Sequence, residues 1–337
     1  MRNKKIDYIK GITIILMLLG HCIQFGSGLA YEEAGSFFSN KIFQLIYSFH
    51  MPLFMLLSGY FFASSMNKHT KVSIAFRKCY QLLLPVFAWS SLRIILIAIK
   101  HKSEFSVSEY IFWWVSDSCH NFWFIWVTFA LCITVLLVNV LFKDSVPIYF
   151  ILFILLFIIP DGEIGSYKFM YPYFIFGYLI GKKNVPLDEI NWINSKQYAI
   201  AYSCIFVIGF LFFKTEILTN MNYCLLSSQS IKIDLFQIVY KYTLGAIGSL
   251  AIVSLIYILY KEHRINSIIC TLGQETLGIY IIQVLLNHIV LRTVTQNFSH
   301  NIFINFFEMI VELLVCHFMI QLINKTKWTR FLFLGHK

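Results

Sequence analysis

Lys10 and His21 stand eleven positions apart inside the first apolar stretch of the chain, 9–27. At 100° per residue, eleven positions make close to three whole turns. Both side chains therefore fall on one helix face, about 16 Å apart along the axis. A cation within an apolar helix costs roughly 2.5–3.5 kcal/mol on insertion scales, so the face that carries it needs a use. Histidine exchanges a proton near neutral pH, and lysine offers a point charge to an anion. The pair suits one elongated substrate, anchored by charge near a membrane surface and reacting deeper. Two plainer readings stand beside this one. Lys10 can snorkel to the surface with Asp7 at i−3 to neutralise it, and His21 can satisfy an interhelical hydrogen bond.

Further polar groups fall at a similar depth when each apolar run is counted from its end. They are His50, flanked by Phe49 and Met51-Pro52, then Arg93, and the pair Glu308 and Glu312 one turn apart. Such a layer is expensive unless its members face one another or a wet cavity. His50 can instead serve a carbonyl freed by Pro52, and Arg93 can be a structural partner of Glu308 or Glu312. A second basic feature runs from Lys68 to Lys78, ahead of Leu82-Leu-Leu-Pro85. Arg77 and Lys78 there are either ordinary topogenic charge or contacts for phosphate, bidentate from arginine and point-like from lysine.

The elements that must position these groups are membrane helices. Hydrophobic residues make up 58% of the 337 and charged residues 13%, with a mean hydropathy of +0.70, whereas soluble domains carry about 25% charged residues. The expected class is an all-α polytopic transmembrane bundle forming one domain over 1–337. About ten spans are expected, near 9–27, 42–64, 80–99, 122–142, 146–160, 169–181, 198–213, 235–260, 267–291 and 302–323. With the N-terminus inside, most of the 27 basic residues fall in the cytoplasm, from Arg2, Lys4 and Lys5 through Lys68–Lys78 to Lys325, Lys327 and Lys337. Fewer, such as Lys102, Lys168, Lys241 and Arg292, fall outside, where Glu104, Glu109, Asp117, Asp161 and Glu163 also lie in connecting loops. That bias places both termini in the cytoplasm and accounts for the net charge of +10. Nucleic-acid binding lacks a clustered basic face and is excluded. Gly28-Leu-Ala30 mimics a signal cleavage site, but the polar residues in the run before it argue for a retained helix. No spacing suggests a metal site. The eight cysteines lack CxxC spacing and read as small apolar fillers; a Cys119–Cys224 disulfide is the one pairing the topology permits.

The residues assembled so far resemble the integral-membrane acyltransferase 3 family. Ile6-Asp-Tyr-Ile-Lys-Gly followed by Leu19-Gly-His21 is similar to its first helix, and Phe49-His-Met-Pro-Leu-Phe54 with Leu57-Ser-Gly-Tyr60 to its second. Arg77 to Pro85 resembles the basic entry to its third. Asn121-Phe-Trp-Phe-Ile-Trp126, Phe174-Ile-Phe-Gly-Tyr-Leu-Ile-Gly181 and Thr276-Leu-Gly-Ile-Tyr280 resemble later aromatic and glycine patterns. Two positions depart from the family: Gln283 stands where a histidine is frequent, and Tyr80 where a second arginine is expected.

The resemblance implies an acyl-coenzyme A donor, usually acetyl-CoA, and a hydroxyl acceptor on a cell-surface polysaccharide or lipid-linked glycan, at a bacterial cytoplasmic membrane. It places the donor phosphates near Lys10, Arg77 and Lys78 and the thioester near His21, acting as general base or nucleophile. Arg93 or His50 would then stabilise an oxyanion, with Glu308 or Glu312 orienting a histidine or pairing with Arg93. The rival reading is a transporter or flippase for a sugar-containing or anionic substrate, since buried Lys, His, Arg and Glu also make ion paths.

Overall fold

Several helices begin where an apolar run follows a side chain that caps it. Asn3 accepts from the backbone N–H groups of Lys5 and Ile6, and α1 runs Lys4–Phe25. Asn40 does the same for Ile42 and Phe43 at the head of α2, Lys41–Lys68. Thr70 caps α3, Lys71–Lys78, which continues through one π-helical turn, Cys79–Leu83, into α4, Leu84–His101. A reciprocal Ser106–Glu109 capping box starts α5, Val107–His120. There follow α6 (Trp123–Phe142), α7 (Val146–Leu156), α8 (Gly165–Lys182), α9 (Lys196–Leu211) and α10 (Ile231–Leu259). The last four are α11 (Arg264–Gln274), α12 (Thr276–Leu285), α13 (Ile302–Ile323) and α14 (Lys327–Leu334). This computed structural model describes residues 3–101, 106–219, 221–291 and 301–336. Arg2, Lys102, Glu104, Arg292 and Lys337, which enter the topology reading above, lie outside them.

The architecture is all-helical, with no strand among the described residues. Among the described residues six helical stretches are long and apolar enough to cross a membrane: α1, α2, the stretch Lys71–Ile99, α6, α10 and α13. A seventh is added if α11 and α12 count as one span. They are bent by 70° at Glu275, where the sequence reads as one unbroken run. The bend is pinned from α13, since the Glu275 carboxylate meets His317 Nδ1 at 2.7 Å and accepts from Gln321 Nε2 at 3.0 Å. The intervals expected as spans at 146–160, 169–181 and 198–213 fall on α7, α8 and α9, of which α7 and α9 are short apolar helices.

Two features differ from the sequence expectation. The segment carrying Glu109 and Asp117 is a helix, α5, rather than a loop, because its capping box and its apolar residues against α4 organise it. Lys168 lies within α8 and is drawn inward to pair with Asp161, which stays in the connecting segment before Gly162. Lys168 is 1% exposed and donates to Asp161 Oδ1 at 2.6 Å, while Asp161 Oδ2 accepts from the Tyr223 N–H. The eight cysteines are free thiols, so Cys119 and Cys224 do not pair; Cys79, Cys119 and Cys204 are exposed rather than core fillers.

The most extensive seam joins α2 to α8, and glycine makes it possible. A methyl group at Gly177 would lie 1.9 Å from the Leu56 carbonyl oxygen, and one at Gly59 would lie 2.0 Å from that of Phe174. Only hydrogen at those two positions lets the backbones touch. Helix α1 runs through the middle of the molecule, packed by α2, α10, α11, α12 and α13.

Candidate functional site: two cavities end to end on helix α1

Lys10, Ile14, Met17, His21 and Gln24 form one stripe on α1 and line two cavities in succession. The first, about 340 Å³, opens at the end that carries Lys10, Lys78 and His336. The second, about 390 Å³, opens at the opposite end and holds His21, His50, Glu32 and His120. Met17, Met51 and Tyr280 line both, so these three side chains are the partition between them. A partition built on two unbranched thioethers is easily re-formed around a guest. Each cavity draws much of its remaining wall from α2 and α12. On α2 the stripe Tyr47, His50, Met51, Phe54, Ser58, Phe61 and Ser65 runs past both; on α12, Thr276, Leu277 and Tyr280 face one, and Tyr280, Gln283 and Val284 the other.

His21 lies just beyond the partition. Its ring stacks on Phe25 at 5.8 Å and meets the edge of Tyr47 at 6.4 Å. Its Nδ1 is buried without a hydrogen-bond partner among the described residues, so no protein group fixes its tautomer there. Gly20 explains the close approach of Tyr47, because a methyl group there would fall 2.8 Å from Tyr47 Cε2. His50 packs against the same tyrosine, with ring centroids 4.7 Å apart. Its Nδ1 is 2.7 Å from the Ile46 carbonyl oxygen. A carbonyl only accepts, so Nδ1 carries the proton and Nε2 keeps a lone pair. In that state His50 can orient a hydroxyl but cannot donate to an oxyanion.

The first cavity is basic at its mouth and aromatic along its wall. Lys10 Nζ sits 5.9 Å from the Phe61 ring centroid and Lys78 Nζ 5.6 Å from that of Phe62. The π-helical turn at Cys79–Leu83 delivers Gln81 and Leu82 to this wall. A second π-helical turn, Leu286–Leu291, delivers Asn287 to the other cavity. Irregular turns of this kind re-aim side chains within an otherwise regular helix.

The remaining residues picked out by sequence lie outside both cavities. Arg77 projects from α3 toward His69, with which its guanidinium is hydrogen-bonded. Arg93, 4% exposed, is held by Asp117 Oδ1 at 3.0 Å and donates to the Val284 carbonyl at 3.1 Å. Asp117 Oδ1 also accepts from Asn121 Nδ2 at 2.8 Å. Arg93 thus braces two cavity walls, through Val284 on α12 and through Asn121, without reaching either cavity. Glu308 and Glu312 lie behind α1. Cys22 donates its thiol to Glu312 Oε2 at 3.5 Å, and Glu308 fills the space beside Gly26. Cys22 is turned about 100° away from His21, so the two acids meet a different face of α1 from the one that lines the second cavity.

Sequence reasoning missed Tyr280, Gln283, Asn287 and Asn121 as lining residues and Asp117 as the partner of Arg93. Thr276-Leu-Gly-Ile-Tyr280 and Asn121-Phe-Trp were visible as patterns, and a count of i, i+3, i+7 from Tyr280 would have reached Gln283 and Asn287.

The sequence matches a family described as the acyltransferase domain over residues 3–323. Among curated proteins it is similar to the nodulation protein NolL of Mesorhizobium japonicum, 26% identical over 289 residues covering 84% of this chain and 76% of that protein. It is also similar to the nodulation protein NolL of Sinorhizobium fredii, 26% identical over 294 residues covering 84% and 77%. No solved structure matches it.

Proposed function

The chain belongs to the acyltransferase family whose domain it matches over residues 3–323, and from that membership we propose that it moves an acyl group across a membrane bilayer. The donor is an acyl-coenzyme A, acetyl-CoA by the family resemblance, entering from the cytoplasm at the Lys10 end. The acceptor is a hydroxyl of a cell-surface or lipid-linked carbohydrate entering at the His21 end. Ten spans with both termini in the cytoplasm set these two ends on opposite sides of a bacterial cytoplasmic membrane. One observation carries the reading. Two cavities of opposite aspect meet at Met17, Met51 and Tyr280, with a lysine pair at the far mouth of one and an unpartnered imidazole just inside the other.

The chemistry follows from that placement. Lys10 and Lys78 hold the donor phosphates, and the apolar wall of Ile14, Met17, Phe54 and Phe61 takes the arm that ends in the thioester. The carbonyl reaches the methionine partition, where water is scarce and acyl loss to hydrolysis is suppressed. On the other side Trp123 and Phe38 offer flat apolar faces to a sugar, and Asn121, Gln24 and Glu32 offer hydrogen bonds. His21 takes the proton of the acceptor hydroxyl as its oxygen bonds to the thioester carbon. Collapse of the tetrahedral adduct breaks the carbon–sulfur bond, and His21 returns the proton to the departing thiolate. His50 Nε2 orients the hydroxyl. Asn287 donates to the Gln283 carbonyl oxygen, which leaves the Gln283 amide protons as donors at the wall where the oxyanion forms. Gln283 thereby supplies hydrogen bonds where a histidine is frequent in the family.

Mass spectrometry of surface glycans tests the whole reading. Cells carrying the intact protein should show an acyl ester that cells carrying His21→Ala lack. An unchanged ester pattern with normal membrane expression of the variant overturns it. A transporter would show coupled substrate flux without new ester. Labelled acetyl-CoA with no acceptor then decides the route: label on His21 at short times marks an acyl-enzyme, and its absence marks direct transfer.

A further inference from the structure

The segment Lys327–His336 closes the wall of the first cavity, and its attachment is specific. Thr326 caps α14, and Gly335 ends it at φ 67°, with its N–H bonded back to the Phe331 carbonyl at 3.1 Å. That left-handed turn suits glycine, and a methyl group there would lie 2.4 Å from the Gln81 carbonyl oxygen. The reversal is therefore seated directly on the π-helical turn that lines the cavity. Trp89 Nε1 donates to the Phe333 carbonyl at 3.0 Å, and its ring packs on the Phe333 ring at 5.3 Å. Leu334 is buried against Gly278 of α12. Fixed at three points, the strap delivers the next residue, His336, to the cavity mouth beside Lys10 and Lys78.

We propose that His336 is a donor-binding residue, which with Lys10 and Lys78 holds a phosphate group of the donor, and that α14 and Gly335 form the strap that presents it. The inference rests on the acyl-coenzyme A reading of the first cavity. Three donors from three separate elements converge there, as a phosphate with several acceptor oxygens requires. The charges facing the imidazole are Lys10 from α1, Lys78 from α3 and Arg330 from α14 itself. Burial, then Arg330 and Lys10, hold the His336 imidazole below its usual range, so in the empty cavity it is neutral near pH 7. A dianionic phosphate reverses that balance and favours the protonated ring. Binding of a phosphate-bearing donor thus draws in a proton and strengthens as the pH falls toward 6.

Calorimetry on the full chain in nanodiscs of zwitterionic lipid tests this with coenzyme A and with phosphate-free pantetheine. The intact protein should bind coenzyme A, and His336→Ala should weaken it about five- to tenfold while leaving pantetheine unchanged. Its affinity for coenzyme A should also vary less between pH 8 and pH 6. Gly335→Ala should reproduce the loss by lifting the strap, with His336 still present. Equal coenzyme A affinity in the intact protein and both variants overturns the strap and leaves the donor reading standing. Failure of the intact protein to bind coenzyme A at all overturns both. Repeating the comparison in anionic nanodiscs separates the two sources of phosphate. A difference between intact protein and variant seen only there would assign His336 to a lipid headgroup and overturn the proposal.

Discussion

One helix, α2, presents two faces built on opposite rules. Toward α8 it carries Leu56, Gly59, Tyr60 and Ala63, and the two backbones touch with no room for a methyl group at Gly177 or Gly59. Toward α1 it carries Tyr47, His50, Met51, Phe54 and Ser58, and there the packing opens into two cavities. Close backbone contact between small residues is the usual glue between helices in lipid, where apolar burial offers little advantage. The first face supplies the rigidity that the second gives up. A single stretch of the family resemblance, Leu57-Ser-Gly-Tyr60, serves both, with Ser58 on the cavity face and Gly59 and Tyr60 on the seam, so motif membership alone does not separate scaffold from site.

The sharpest way to break the comparison is to attack each face and read both stability and activity. Gly177→Leu should have the largest effect. Its side chain starts 1.9 Å from a backbone oxygen that cannot move aside, so the penalty should reach or exceed the roughly 1–3 kcal/mol of ordinary overpacking. The expected outcome is loss of the monodisperse folded protein in size-exclusion chromatography. A folded, active Gly177→Leu protein would show that the seam is not the scaffold. His21→Ala should do the reverse. Loss of a general base lowers kcat by about a hundredfold or more, while the melting temperature in detergent should stay close to that of the intact protein. A large fall in melting temperature would move His21 to the structural side.

Gly20→Ala lies between the two. The new methyl would meet the Tyr47 ring at 2.8 Å, and an aromatic ring, unlike a carbonyl, can tilt away. The ring touches both His21 and His50, so its displacement should lower kcat about tenfold with little loss of stability. Rescue by the added change Tyr47→Leu, which removes the clash, would confirm that the ring carries the effect. An unaltered kcat in Gly20→Ala would detach Tyr47 from the site.

How far the site was legible in the sequence depends on whether a residue acts through its own helix or through a neighbour. Lys10 and His21 were readable because helix periodicity alone puts them on one face, and α1 is regular from Lys4 to Phe25. His50 was readable as a group at matching depth. Arg93 stands out for its cost in an apolar run, yet its partner Asp117 reads as a loop charge, because 107–120 does not stand out as a helix by its apolar pattern. Glu308 and Glu312 share the depth of His21 but sit behind α1. Depth follows from counting along one helix, whereas azimuth depends on how helices pack, which one sequence does not state. The π-helical turns at Cys79–Leu83 and Leu286–Leu291 break the 3.6-residue count, and no periodicity in the sequence announces them. The ten apolar intervals all fall on helices, but the 70° bend at Glu275 depends on His317 and Gln321 from another element.

Lys10→Ala should give the smallest effect and the cleanest assignment of one cavity to one substrate. The ammonium lies near the cavity mouth, where water screens it, so its contribution to a phosphate contact is that of a partly exposed charge. We expect KM for the acyl-coenzyme A donor to rise about three- to tenfold, with KM for the acceptor, kcat and melting temperature unchanged. Added salt should narrow the difference, since screening weakens the intact protein's contact and leaves nothing to weaken in the variant. If the acceptor KM rose instead, the two cavities would have to exchange their substrates. His21 would then face the donor, and the lysine end would belong to the carbohydrate.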